Sequence, residues 1–452
     1  MNNTEQKIIT RFAPSPTGLL HGGNYRTAVF SYLFARQHGG KFIVRIEDTD
    51  RERSKKEYEE NILESLKWLE LEYDELHRQS ELVQKHTEAL QKLIASGHAY
   101  ISKEEAKDGS CAMRELVRFK NPGKRISFDD LIRGHIEIDT TDLGDFVIAK
   151  AINEPLFHIA VVVDDAEMGI THIIRGEDHI ANTPRQLLLY EALGYIAPRY
   201  AHLPLVLDES RAKLSKRRGA HPLTYYRDNG YLPLAILNFL ALLGWNPGTD
   251  KEIFTKEELI ATFSLERVQK SSGIFNIEKL NWINKEHIKL LSKEDQVEYI
   301  ETFLTDKIKA LPGFSREKLF SITNVLIEHI THFGEIRTMI ENGDLAYFFT
   351  APTFPKEKLF WKEETDTAKL RERLTKVHTI LESIESTQFT AENIKESLWD
   401  YATAEGRGQV LWPIRFALSG KEKSPDPFQI AAIIGKEETL QRINTAIQMH
   451  HD

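Results

Sequence analysis

Early in the chain the spacing of apolar residues switches from that of a strand to that of a helix and back. Lys7 to Phe12 is short, apolar-rich and partly β-branched, and predicts a strand. Pro14 and Pro16 then interrupt regular structure. From Asn24 to Arg36, Ala28, Tyr32 and Ala35 recur at helical spacing, with Phe30, Leu33 and Phe34 widening the stripe. Gly39-Gly40 ends that helix, and Lys41 to Ile46 predicts a buried strand. The unit is strand–helix–strand with a right-handed parallel crossover. Ser54 to Leu71 predicts a charged amphipathic helix with Ile62, Leu66 and Leu69 inward, and Leu82 to Ser96 predicts another, ended by Gly97.

The alternation continues further on. Pro155 to Asp165 is an apolar segment ending in two carboxylates, and Gly169 to His179 reads as strand then loop. Asn182-Thr-Pro184 opens a helix that runs to about Leu193. His202 to Leu207 reads as the last strand, and Pro222 to Trp245 as helix. Beyond that the pattern is mostly amphipathic helix, with a loop at Gly420 to Pro427 and a terminal helix at Ile433 to Ile443. Strands alternating with helices imply a parallel α/β sheet, here followed by a helical tail.

Composition narrows the class. The chain has 452 residues, enough for two to four domains, and its 41% hydrophobic content can build real cores. No apolar run approaches the ~20 residues of a membrane span, and the N-terminal residues carry no apolar signal region. The single cysteine, Cys111, excludes an internal disulfide framework and a cysteine-rich zinc site. A soluble, cytoplasmic protein is expected. The net charge of −9 offers no global basic excess for nucleic acid, though a local basic track on an acidic body is compatible with it.

The candidate chemistry sits where strands end. Between the first strand and the first helix, His21-Gly-Gly-Asn24 offers backbone N–H groups, a helix N-terminus and a histidine to an anion. Gly22 and Gly23 would let a ligand approach the backbone. No Gly-Lys-Ser/Thr closes this loop, so it is not a Walker loop, and its glycines do not follow the Rossmann dinucleotide pattern. Glu47-Asp-Thr-Asp50 follows the second strand at its carboxyl end, where open α/β sheets place ligands. Glu47 could meet an ammonium group, whereas Asp48 and Asp50 fit a solvated turn or helix cap equally well. Arg175 leaves a later strand in the same way, with Glu177 and Asp178 as competing ion-pair partners. Lys213-Leu-Ser-Lys-Arg217 reads either as a solvated basic patch or as a mobile loop that closes on a phosphate.

Pro14-Ser-Pro-Thr-Gly-Leu-Leu-His-Gly-Gly23 followed by Arg26-Thr-Ala28 resembles the first signature of glutamyl-tRNA synthetases. Arg45-Ile-Glu-Asp-Thr-Asp50 is a second string of that family, and Lys213-Leu-Ser-Lys-Arg217 resembles the class I signature-lysine motif. The resemblance implies an α/β Rossmann-like catalytic domain with a parallel sheet (1–80 and 156–208). It implies an inserted α+β connective domain (81–155), shortened and without zinc, contacting the tRNA acceptor end. All-α regions would follow: the signature-lysine loop and stem-contact domain (209–293) and the anticodon-binding domain (294–452).

The activity implied is ATP-dependent formation of glutamyl-adenylate and transfer of glutamate to tRNA-Glu, with Mg²⁺ on the leaving pyrophosphate. Arg11, Ala13, Ser15, Glu47, Phe157 and Arg175 would bind glutamate. His21, Gly23, Asn24 and Lys216 would bind ATP, and His21, Asn24, Lys213 and Lys216 would act in catalysis. No metal-ligating residues are expected, no membrane contact, and a monomeric state. The sequence departs from the family at Leu156-Phe-His158, where Thr-Tyr-Asn is common: Phe157 lacks the phenol that could hydrogen-bond substrate, and His158 is a candidate substitute. Charging of tRNA-Gln as well, a catalytically inactive tRNA-binding relative, a glutaminyl enzyme and a small-molecule nucleotidylyltransferase stay open, the last two disfavoured by the helical tail.

Overall fold

The computed structural model describes residues 7–105, 113–214 and 221–450. The chain divides into two compact units, residues 1–287 and 288–452.

The first unit opens with β1 (Ile9–Phe12), α1 (Gly22–Gln37), β2 (Lys41–Ile46), α2 (Lys56–Trp68), β3 (Glu75–Arg78) and α3 (Val83–Ala95). Next come β4 (Ala99–Glu105), β5 (Met113–Phe119), β6 (Arg125–Asp130), β7 (Gly134–Asp139), β8 (Phe146–Ala151) and β9 (Glu154–Pro155). The chain then returns through α4 (Phe157–Glu167), β10 (His172–Gly176), α5 (Thr183–Leu193), β11 (Arg199–Leu203) and β12 (Val206–Leu207). It finishes with α6 (Leu223–Asp228), α7 (Pro233–Leu242), α8 (Lys256–Thr262), β13 (Gly273–Ile274) and α9 (Ile277–Leu290), within which the unit boundary falls.

The main sheet has the order β3-β2-β1-β10-β11-β6-β7. Its strands are parallel from β3 through β6, and β7 folds back antiparallel. The chain builds outward from β1 in one direction, then outward from β10 in the other. The crevice between the carboxyl ends of β1 and β10 is therefore the topological switch point, where such sheets bind ligands. The strands are covered on both faces, which is why Phe42 to Ile46 is buried throughout. Gly40 makes the α1-to-β2 turn possible: a Cβ there would run into the Ile8 carbonyl oxygen, beside the Lys41 N–H to Ile8 O bond (2.9 Å) that starts the β1–β2 pairing.

The segment between the sheet's two halves contributes to two of the sheets of this unit. Its β4, β5, β8 and β9 form a separate antiparallel sheet, over a core of Leu90, Phe119, Ile148, Val162 and Leu189 that α3, α4 and α5 share. Its β6–β7 hairpin instead extends the main sheet beyond β11.

Three sequence expectations are corrected. The last strand that the chain adds to the main sheet is Arg199–Leu203, because Pro204 cannot donate to a ladder; Val206–Leu207 pairs instead with Gly273–Ile274 in a separate two-stranded sheet. The helix expected over Pro222 to Trp245 is two helices, separated at Asn229 and Gly230, the latter at φ +73°. The terminal helix is split at Gly435 (φ +89°), since the left-handed conformation there ends one helix and starts the next.

The second unit is helical: α10 (Lys293–Phe303), α11 (Asp306–Lys309), α12 (Arg316–His329), α13 (Glu335–Glu341), α14 (Thr367–Glu382), α15 (Ala391–Glu405), α16 (Arg407–Ser419), α17 (Pro427–Ile434) and α18 (Lys436–Gln448). Ser292, Ser315, Asp366, Thr390 and Asp426 cap their helices by accepting backbone N–H bonds. Among the described residues no helix is long and apolar enough to cross a membrane.

Candidate active site

A cleft of about 410 Å³ opens at the switch point. Its walls include Arg11, Ala13, Ser15, His21, Gly23, Asn24, Glu47, Phe157, Arg175 and Lys213. These ten are the residues to which the family resemblance assigns glutamate, ATP or catalytic roles; the eleventh, Lys216, lies outside the described residues.

One half of the cleft is built on buried charge. Arg11 is the penultimate residue of β1, Glu47 follows β2 and Arg175 is the penultimate residue of β10. Behind Arg11 and Glu47 sits Arg45, with no solvent exposure. Its Nη1 donates to Asp165 Oδ1 (2.6 Å), its Nη2 to Glu47 Oε1 (3.1 Å), and its Nε lies 3.7 Å from Asp164 Oδ2. Asp165 Oδ1 also accepts from Arg11 Nε at 3.2 Å. Burial pulls the Arg45 pKa down, but the carboxylates of Asp165, Glu47 and Asp164 outweigh it and hold the guanidinium charged. Burial likewise pushes Asp165 up, and Arg45 and Arg11 more than reverse that, so it stays a carboxylate below its usual range. Glu47 is pushed up by burial more than Arg45 and Arg11 pull it down.

Arg175 is held differently. Its Nε donates to His202 Nε2 (3.1 Å), its Nη2 to Thr183 Oγ1 (2.8 Å), and its guanidinium lies over the Tyr200 ring at 5.2 Å. Because His202 Nε2 accepts, the ring proton resides on Nδ1, which donates to Asp130 Oδ2 at 2.7 Å. Among the described residues no carboxylate lies within ion-pair distance of Arg175. Glu177 pairs with Arg133, and Asp178 with Lys213 (3.0 Å), so the ion pairs weighed for Arg175 go elsewhere. Burial lowers the Arg175 pKa to about 10, so the group remains cationic at neutral pH. A buried cation facing a cleft without a counter-charge is prepared for an anion.

The other half surrounds the start of α1. His21 occupies the N-cap position in extended backbone (φ −101°, ψ 170°). The Asn24 side-chain oxygen accepts the His21 N–H at 3.1 Å, so the amide N–H is what Asn24 can offer a ligand. A Cβ on Gly23 would lie 3.1 Å from His21 Cε1, crowding the imidazole. Leu214 N donates to Val206 O (2.9 Å), and a bridge joins Leu207 to Lys213. A second bridge joins His21 to Pro222. Both flanks of the signature-lysine segment are thus fixed beside the helix start.

Several candidates are settled by their partners. Asp48 accepts from Ser80 N (2.8 Å) and Oγ (2.6 Å), and Asp50 pairs with Arg53, so both serve local structure. His158 does not line the cleft; it packs on Phe146, and burial lowers its pKa to about 4. Phe157 places its ring 5.9 Å from that of His179. Sequence reasoning missed Arg45, Asp130, Asp164, Asp165 and His202. A legible signal existed for Arg45, a charge inside an otherwise apolar buried strand, and for the carboxylate pair closing Val161-Val-Val163.

Burial also sets an acid limit. His158, His172 and His287 are held at about pKa 4 chiefly by desolvation, against an ordinary 6.5. The unfolded chain protonates them from about pH 6.5 downward and the folded one does not, so each favours unfolding as pH falls toward 4. Thermal unfolding of the first unit is expected to be flat above pH 6.5 and to fall steadily between 6.5 and 4. A melting temperature constant over that window would contradict these buried neutral rings.

The model of class I tRNA synthetases (E and Q), catalytic domain, matches residues 7–115 and 101–282, and an anticodon binding domain model matches residues 304–447. A glutamate–tRNA ligase of Aquifex aeolicus is 42% identical, covering 97% of this chain and 98% of the relative. One from Carboxydothermus hydrogenoformans is 40% identical, covering 96% and 99%. A crystal structure of a glutamate tRNA ligase from Elizabethkingia meningosepticum, in complex with its amino acid, superposes with a TM-score of 0.86 at 33% identity, covering 98% of this chain and 99% of that one.

Proposed function

We infer the function from one premise: the chain belongs to the class I tRNA synthetases of the glutamate and glutamine branch, with an anticodon-binding domain behind the catalytic one. It is a glutamate–tRNA ligase. In the first step an α-carboxylate oxygen of glutamate attacks the α-phosphorus of ATP, the bond to the bridging oxygen breaks, and pyrophosphate leaves. In the second a terminal ribose hydroxyl of tRNA attacks the acyl carbon and AMP leaves.

The proposed roles follow the charges of glutamate, two carboxylates and one ammonium. Arg175 takes the α-carboxylate, Arg11 the side-chain carboxylate and Glu47 the ammonium, with Ala13, Ser15 and Phe157 as walls. His21, Gly23, Asn24, Lys213 and Lys216 hold the phosphates and offset charge that grows on the departing pyrophosphate. Mg²⁺ arrives on the triphosphate as part of that substrate. Among the described residues no three His, Cys, Asp or Glu side chains gather as a metal set. Residues 81–155 would receive the acceptor end and 209–293 the stem, in a cytoplasmic monomer. Catalysis is alignment plus electrostatics, and alignment alone contributes roughly 7–11 kcal/mol.

The observation that carries this reading is the buried Arg175, which has no carboxylate within ion-pair distance among the described residues and lines the same cleft as Glu47 and Arg11. The finer question is tRNA choice. Purified tRNA-Glu and tRNA-Gln are to be charged separately with labelled glutamate. Charging of tRNA-Glu alone is the expected result, and equal charging of both would make the enzyme non-discriminating.

A further inference from the structure

Two groups that the cleft does not expose connect those proposed to hold the two ends of the amino acid. Arg45 and Asp165 are buried to 0% and 1% exposure, and neither lines the cleft. They complete a continuous chain, Glu47–Arg45–Asp165–Arg11, through bonds of 3.1, 2.6 and 3.2 Å. Its ends are cleft residues on the termini of two neighbouring parallel strands, β2 and β1. Its middle crosses to α4, which supplies Asp165.

We propose that the Arg45–Asp165 pair is the spacer that fixes the separation between the ammonium-binding carboxylate and the arginine that takes the side-chain carboxylate. It thereby sets the length of amino-acid side chain the cleft accepts. The proposal rests on the roles assigned above to Glu47 and Arg11. Arg45 and Asp165 are positioning residues: they act on substrate through Glu47 and Arg11.

The geometry suits a spacer. A guanidinium is planar, with its donors in a fixed fork, so bonding both Glu47 and Asp165 fixes their relative placement. Arg45 is itself fixed from the other side. Asp164, 3.7 Å from Arg45 Nε, is anchored by His86 Nε2 (2.6 Å) and Gln79 Nε2 (2.7 Å). Asp165 ties Arg11 by Nε. A lysine in place of Arg45 would keep the charge and lose the fork. The amino acids most in need of exclusion by length are those one methylene away from glutamate, and a pocket discriminates a methylene by only about 10–200-fold. Fixed spacing of charged groups adds to that, since a displacement of about 1 Å can cost ~10²-fold.

The test is steady-state aminoacylation by Arg45→Lys and Asp165→Asn, with aspartate as a competitive inhibitor. Both variants are expected to raise the glutamate KM roughly 10–100-fold, to leave the ATP KM within about 3-fold, and to lower the ratio of aspartate Ki to glutamate KM at least ~10-fold. Loss of packing alone would not shift that ratio selectively. An unchanged ratio, or glutamate and ATP constants rising together, overturns the proposal. Should Arg45→Lys fail to fold, Asp165→Asn, which keeps the side chain's size, decides the matter by the same ratio. Arg11→Lys and Glu47→Gln separate the layers. If they leave the glutamate KM unchanged, the assigned contacts themselves fail; if they raise it while the spacer variants do not, only the spacer fails.

Discussion

Replacing Arg175 with alanine is expected to lower kcat/KM for glutamate by roughly 10²–10³-fold while leaving the fold intact. The magnitude follows from removing one partner of a desolvated charge pair, which costs about 2–5 kcal/mol. Arg175 is 6% exposed, and its pKa is lowered to about 10 by burial, so its charge is held at a cost in stability until an anion arrives. The fold tolerates its loss because its partners can satisfy each other: Thr183 Oγ1 already lies 3.3 Å from His202 Nε2. The Tm of the variant is expected to equal or exceed that of the wild type. The ATP KM should change little. Arg175→Lys should recover only part of the activity, because an ammonium cannot reproduce two fixed N–H donors. A glutamate KM unchanged in Arg175→Ala would remove this residue from the site.

His21→Ala is expected to act on the other half of the cleft, lowering kcat roughly 10²–10³-fold with the glutamate KM within about 3-fold. The imidazole can be removed while the backbone bond at the helix start stays in place. At the start of α1, Asn24 Oδ1 accepts the His21 backbone N–H at 3.1 Å. Alanine retains that N–H, so this bond survives the loss of the imidazole. Rapid-quench measurement of adenylate formation distinguishes the outcomes. A slow chemical step with normal glutamate binding supports a role on the phosphates, whereas a raised glutamate KM at normal kcat would move His21 to the amino-acid side.

The parts of the site that were legible in the sequence share a reason. Arg11, Glu47 and Arg175 each sit where a predicted strand gives way to a loop, and strand ends follow from local apolar pattern. His21 and Asn24 were legible because a loop rich in Pro and Gly preceded a helical stripe. What stayed hidden depends on pairing across the chain. Asp130 meets His202 from 72 residues away, and only the addition of the β6–β7 hairpin to the main sheet brings them together. Asp165 is 154 residues from Arg11. Helix breaks at Gly230 and Gly435 were missed because the apolar pattern runs through them, although positive φ at glycine is what allows each turn. The loss of the phenol at Phe157 was legible as a departure; its neighbour His158 was a poor substitute because it is packed on Phe146 outside the cleft.

The activity to be tested first is the joining of glutamate to tRNA-Glu at the expense of ATP. Its most direct measurement is transfer of labelled amino acid to purified tRNA-Glu by the full chain, with glutamate, glutamine and aspartate supplied in parallel. Saturable charging that requires ATP and proceeds with glutamate is expected, with glutamine and aspartate at least ~10²-fold poorer in kcat/KM. Folded protein that charges glutamine in preference, or that binds tRNA-Glu and charges nothing, would contradict it.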